Sequence, residues 1–233
     1  MMSTSSDALR AVFLFGSVAR GDSDPQSDLD VLAVVQNNAG KVPRDDVLKH
    51  LANEGQHAEP TISWYGFNRL KSMYAAGELF AWHLFLEGKP LYGGGDVVSG
   101  LGNPSRYTRA IEDIAAFRST LSSVPTQVGA ASYNAVYELG VMYVCVRNIA
   151  MSASWHLCSA ADFTRWSPFR LGQEVSNCPL SAQDYERSMA CRMASQRGHA
   201  PPSGIDAEFV LGYHNRVAPW LAEIQDRVQE AIE

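Results

Sequence analysis

Two apolar runs enclose a short polar excursion near the start of this chain, and no other stretch constrains the fold as tightly. Residues 13–35 read FLFGSVARGDSDPQSDLDVLAVV. Val12, Phe13, Leu14 and Phe15 make a run of strand length that stops at Gly16, and Val31, Leu32, Ala33, Val34 and Val35 make a second. Gly16 and Ser17 carry no bulky side chain, so the backbone can come close to a ligand. Their N–H groups and the Ser17 hydroxyl can hold a phosphate oxygen, and Arg20 can add a charged fork to the same phosphates.

The second run is led in by Ser27, Asp28, Leu29 and Asp30. On a strand, residues two apart face the same way, roughly 6.5–7 Å apart at Cα. Asp28 and Asp30 therefore point to one side and Leu29 to the other. Two carboxylates about 6 Å apart repel by roughly 3 kcal/mol at an effective dielectric near ~20. A sheet gains nothing from this unless a cation sits between them. Magnesium takes hard oxygen ligands and shares them with substrate phosphates. A phosphate-holding Gly-Ser turn followed by an aspartate pair describes a metal-dependent phosphoryl or nucleotidyl transfer site. The plainer alternative is an acidic turn on an edge strand that holds no metal.

Gly16-Ser17, Ala19-Arg20-Gly21 and Ser27-Asp28-Leu29-Asp30 closely resemble the signature of the DNA polymerase β-like nucleotidyltransferase superfamily. Within it they look most like the small bacterial branch of minimal and aminoglycoside nucleotidyltransferases. The resemblance covers only the N-terminal part of the chain. It implies a mixed sheet with flanking helices and two magnesium ions. By the resemblance, Asp28 and Asp30 hold the metals, and Gly16 and Ser17 seat the donor phosphates. Arg20 and Ser27 complete the nucleotide site. The resemblance also implies a third metal carboxylate on the next strand, expected over residues 58–65, where Glu59 is the one acidic residue. The family more often shows Asp there, and Pro60 directly after it cannot donate to a sheet ladder. Absence of that carboxylate would count against catalysis while leaving nucleotide binding possible.

The chain has 233 residues, 46% of them hydrophobic, enough to bury a full core in one or two domains. A net charge of −6 argues against non-specific binding to nucleic acid. Cys145, Cys158, Cys178 and Cys191 fall at wide, irregular spacing, which reads as buried free thiols and not as a zinc site. Residues 1–7 are polar, which reads as no signal peptide, and residues 1–6 read as frayed chain. The most apolar long run, residues 135–153, is interrupted by Glu138 and Arg147, against a membrane span. A reducing cytoplasm fits all of this.

Further along, residues 42–53 read as a helix with Pro43 near its start and Asp45 and Asp46 in its first turn. From Phe67 the pattern is helical to Gly77 and again over residues 79–86, with His83 expected as a core histidine making one hydrogen bond. Residues 87–92 resemble the stretch with which many small nucleotidyltransferase domains end, which implies a short strand completing the sheet. Gly93-Gly94-Gly95 and the Gly-rich stretch to Pro104 read as a flexible boundary. Beyond it, helices are expected over residues 106–121, 130–153, 159–165, 182–197 and 206–232, the last kinked or restarted at Pro219. This half resembles the helical domains, HEPN-like ones among them, that accompany such nucleotidyltransferases. The HEPN ribonuclease pattern needs Arg and His a few residues apart on one helix. Arg147 has no histidine nearer than His156, so RNA cleavage does not carry over, and Arg147-Asn148 reads as a buried packing network.

The expected protein is α+β, with a nucleotidyltransferase domain over residues 1–103 and an all-α bundle over residues 104–233, the acceptor entering between them. It would transfer a nucleoside monophosphate from a triphosphate, ATP by the family default, to a hydroxyl, releasing pyrophosphate. The acceptor would be a small hydroxylated compound or a tyrosine of a partner protein. No membrane or nucleic-acid partner is expected, and a homodimer is compatible with the pattern. The rival from another class is an antitoxin-like module that senses nucleotide and binds a protein without catalysis.

Overall fold

The structure is a computed structural model that describes residues 8–23, 27–51 and 60–233, with only the backbone of Val98 and Ser99. The frayed start expected over residues 1–6 lies outside the described residues, as does Glu59. The chain divides into two compact units, Met1–Thr108 and Arg109–Glu233.

The first unit is built on a sheet of β1 (Leu9–Phe15), β2 (Leu29–Val35), β3 (Pro60–Gly66) and β4 (Lys89–Tyr92). The order is β3-β2-β1-β4, with β1 antiparallel to β2 and β4, and β2 parallel to β3. β1 and β2 are almost unbroken apolar runs because both their faces are covered. One face sends Val12, Leu14, Leu29, Val31 and Ala33 into a core with Ala19, Val47 and Leu51. The other sends Ala11, Phe13, Phe15, Leu32 and Val34 into a core with Leu70, Met73, Tyr74, Ala81 and Leu84. The helices of this unit are α1 (Gly16–Arg20), α2 (Arg44–Leu48), α3 (Phe67–Ala75), α4 (Leu79–Glu87) and α5 (Gly94–Leu101).

Two expectations change here. Among the described residues 42–51 of the helix expected over 42–53, only α2 is α-helical, because His50 N donates to Val47 O and Leu51 N to Leu48 O; residues 52 and 53 lie outside the described residues. Those three-residue bonds tighten and end the last turn, and Leu51 drops into the core. The expected flexible boundary opens on two closely packed glycines. Gly93 takes φ +58°, and a Cβ on it would stand 2.0 Å from Arg10 O; one on Gly94 would stand 2.2 Å from Pro90 Cβ. The two glycines let the chain turn hard against β1 and β4, and α5 then buries Val97 in the core.

The second unit is helical: α6 (Ala110–Ser122), α7 (Val124–Ala130), α8 (Ala135–Leu157), α9 (Ala182–Arg197) and α10 (Ala207–Ile232). α8 is its axis, with Leu139, Met142, Val146, Ile149 and Ala153 buried and α6, α9 and α10 packed around it. A Cβ on Gly140 would stand 2.9 Å from the Arg192 backbone, so this glycine sets how closely α8 and α9 approach. Ser181 and Asp206 cap α9 and α10 by accepting from Asp184 N and Phe209 N. α10 passes through Pro219 without a break. The helix expected over residues 159–165 does not form. Asp162 N donates to Ser154 Oγ, Thr164 N donates to Asp162 Oδ1, and Arg147 Nη2 donates to Phe163 O. Those side chains take the backbone groups that a helix would have paired. All four cysteines are free, Cys145 and Cys191 buried and Cys158 and Cys178 half-buried. Among the described residues, no helix is long and apolar enough to cross a membrane.

The packing account separates two neighbouring glycines. Gly93→Ala should cost about 2 kcal/mol or more, from left-handed strain and overpacking together. Gly95, in α5 with nothing within 4 Å of its Cβ position, should gain roughly 0.5–1 kcal/mol as Ala. Thermal melts of the two variants check this, since a slack linker would leave both near wild type.

Candidate active site

β1 runs out at Phe15, and the chain must turn at once. Gly16 takes φ +74° and opens α1, which ends one turn later at Gly21, φ 85°, whose N–H donates to Ser17 O at 2.9 Å. β2 comes back antiparallel with Asp30 opposite Phe15. The two ends then meet: a Cβ built on Gly16 would stand 2.5 Å from Asp30 Oδ2. Gly16 is thus required twice, by its left-handed backbone and by the carboxylate beside it.

Alternation along β2 assigns the faces. Leu29, Val31, Ala33 and Val35 fill one core, and Leu32 and Val34 fill the other. Asp30 shares the face of Leu32 and Val34, and Asp28, just ahead of the strand, falls on the same alternation. Both aspartates are half-buried, and Ser27 is buried. On β3, Pro60 lies opposite Leu29 and Thr61 opposite Asp30. Among the described residues, no group of three or more His, Cys, Asp or Glu side chains gathers where it could hold a metal ion.

The structure therefore brings Gly16, Ser17, Asp28 and Asp30 to one end of the sheet. Arg20, at the far end of α1, turns toward α4. Its Nη1 donates to Glu87 Oε2 at 2.6 Å and its Nε to Asp22 Oδ2 at 3.3 Å. His83 Nε2 donates to the same Glu87 Oε2 at 2.9 Å, since a carboxylate can only accept. His83 is buried, as the aromatic surroundings of the residue suggested, and stands edge-on to Phe15 at 5.6 Å and to Phe80 at 6.3 Å. Burial by itself would push the Glu87 carboxyl up. The hydrogen bonds and charges of His83 and Arg20 outweigh it and hold the carboxyl below its ordinary range. Burial likewise opposes the Arg20 charge, and Glu87 and then Asp22 reverse that and raise its pKa. Glu87 escaped the sequence reading. Its spacing four residues after His83 was visible, but its partner Arg20 is 67 residues away.

Residues 4–67 match the family model of the nucleotidyltransferase domain. The chain is an enzyme of the nucleotidyltransferase type. No curated protein matches it. The matched stretch holds Gly16, Ser17, Arg20, Ser27, Asp28, Asp30 and Glu59, and agrees with a DNA polymerase β-like nucleotidyltransferase. His83 and Glu87 lie beyond it.

The depressed Glu87 pKa carries a pH signature. A carboxylate whose folded pKa lies below its ordinary 4.5 stabilises the fold at higher pH, and that contribution fades as pH falls through the folded value. Glu87→Gln should cost roughly 1.5–3 kcal/mol at neutral pH, the scale of hydrogen bonds to a charged group. The gap between variant and wild type should close as the pH drops below about 4.5. Urea unfolding from neutral pH down to about pH 3 measures this; a gap that stays constant counts against an ionised Glu87.

Proposed function

We propose that this nucleotidyltransferase moves a nucleoside monophosphate from a nucleoside triphosphate, ATP in the first instance, to a hydroxyl of a small molecule or a protein tyrosine. Pyrophosphate is the other product. The observation that carries the reading is the Asp30 carboxylate lying in the space that any side chain on Gly16 would fill. One short region thereby offers both a bare backbone turn for phosphate and hard oxygen donors for a cation. The residues present fit magnesium, since the donors are carboxylates, Asp28 and Asp30 fall on one alternation of β2, and the glycine at position 16 is what admits the Asp30 carboxylate beside the turn. Asp28 and Asp30 would hold two magnesium ions. Glu59, joined to Pro60 opposite Leu29, would be the third carboxylate. When bound, magnesium neutralises phosphate charge and lowers the pKa of a coordinated hydroxyl.

The chain's own residues then have distinct tasks. The Gly16 backbone and the Ser17 hydroxyl seat the β- and γ-phosphates, with Arg20 and Ser27 at the edge of the site. Glu59 accepts the proton of the acceptor hydroxyl. The acceptor oxygen forms its bond to the α-phosphorus as the bond to the bridging β-phosphate oxygen breaks, and pyrophosphate leaves in line.

Pyrophosphate release with ATP and magnesium, across a panel of hydroxylated acceptors, tests the reading. The double variant Asp28→Asn, Asp30→Asn should remain folded, because it removes a like-charge repulsion, yet lose magnesium-dependent triphosphate binding. Unaltered affinity in that variant would sink the metal assignment. Ser17→Ala should weaken triphosphate binding by roughly 1–2 kcal/mol, as loss of a hydrogen bond to a charged group does. A fall in stability with affinity intact would instead make Ser17 a local capping residue. Glu59→Gln should leave ATP binding nearly intact and slow transfer by orders of magnitude, because it removes a transition-state role. Wild-type turnover in that variant would require another base.

A further inference from the structure

Helix α1 carries the residues assigned to the donor phosphates, yet it has five residues, little more than one turn. A helix that short has too few internal bonds to hold itself, so its place depends on tertiary contacts. It begins on Gly16 at φ +74° and is followed by Gly21 at φ 85°, and neither glycine restrains it as a bulkier residue would. Tertiary contacts at three places fix it. Ala19, 3% exposed, and the partly buried Val18 anchor it in the core. Asp30 abuts its first residue. Glu87 grips its last, Arg20.

The third contact is the unusual one. A carboxylate close to a triphosphate site repels the ligand, and a surface ion pair would add little stability in return. This pair is not a surface pair: the side chains of Arg20 and Glu87 are 17% and 13% exposed. Glu87 is itself tied to His83, which is packed edge-on against Phe15 and Phe80, and Phe15 is the residue that leads into Gly16. Two of the three Arg20 guanidinium nitrogens are engaged, Nη1 by Glu87 and Nε by Asp22, so its plane is set from two sides. The chain from Phe15 through His83 and Glu87 to Arg20 closes on α1 at both ends.

We propose that Glu87 is a positioning residue of the nucleotide site: anchored by His83, it fixes the Arg20 guanidinium and with it the turn of Gly16 and Ser17 that receives the donor phosphates. This role rests on the reading of that turn as a triphosphate site. Glu87 touches no phosphate and acts through Arg20, as a supporting shell orients the groups that bind. The alternative is that Glu87 is a placeholder that Arg20 leaves when phosphate arrives, and it predicts the opposite sign.

Calorimetric titration of the full chain with magnesium-ATP, alongside thermal melts, decides. Glu87→Gln should weaken binding about tenfold, the loss expected when a charge-assisted bond no longer orients its partner. Glu87→Asp keeps the charge but draws it back by one methylene, and should weaken binding as well; it serves alone if the glutamine variant does not fold. Arg20→Ala should weaken binding by a similar factor, and Arg20→Ala with Glu87→Gln should bind no more weakly than Arg20→Ala alone. A purely structural Glu87 would lower the melting temperature without that coupling. Wild-type affinity in folded Glu87→Gln overturns the role, as does tighter binding or independent losses in the double variant. A wild-type chain that binds none of the four common magnesium-nucleoside triphosphates overturns the reading of the site, and this role with it. Binding by wild type with no effect of Glu87 overturns this role alone.

Discussion

The closeness of the Asp30 carboxylate to Gly16 is the constraint on which the N-terminal unit depends. It follows from the register that sets Phe15 opposite Asp30 across β1 and β2. A slip of one residue would turn every side chain on β2 to the other face. Leu29 and Val31 would leave one core, Leu32 and Val34 the other, and both aspartates would face Ala19, Val47 and Leu51. The apolar residues therefore lock the register, and the register delivers the carboxylates. The placement of the two aspartates at this end of the sheet is a by-product of burying two faces at once.

That two-sided burial also explains what the glycines do. Gly93 and Gly94 sit where the chain leaves β4 and must pass within contact of the Arg10 backbone and the Pro90 ring. A glycine cluster is ordinarily read as slack, and here its first two members are packed closely against backbone and ring. Gly140 has the same function in the helical unit, where it sets the approach of α8 to α9. Such glycines look identical in sequence to those of a linker, because what distinguishes them is a neighbour that comes from elsewhere in the chain.

Much of the site was legible beforehand. The run into Gly16, the Ser17 hydroxyl and the alternation of Asp28 and Asp30 are local features, and local periodicity places them without further information. The strands β1 and β2, the helices α3 and α4, and the helical character of everything beyond β4 follow from the same kind of reading. The Ser154–Asp162 bonds that abolish a helix over residues 159–165 did not, because side chains compete for backbone groups only once they are brought together. Nor did Glu87. Its carboxylate closes on Arg20 only after α4 packs beside α1, although the His83–Glu87 spacing on one helix face was there to be seen.

By itself the sequence determined the motif, its order along the chain and the chemistry of its groups: a bare turn, a hydroxyl and two same-face carboxylates. These depend on residue type and on a spacing of a few residues, which the backbone of a strand or a turn converts directly into geometry. Only the tertiary structure decided that Asp30 lies against Gly16, that Arg20 is held by Glu87, which His83 holds in turn, and that Gly93 and Gly94 pack tightly. Each of these joins residues far apart in the chain through the burial of a shared face, and no local pattern records which distant side chain will arrive there.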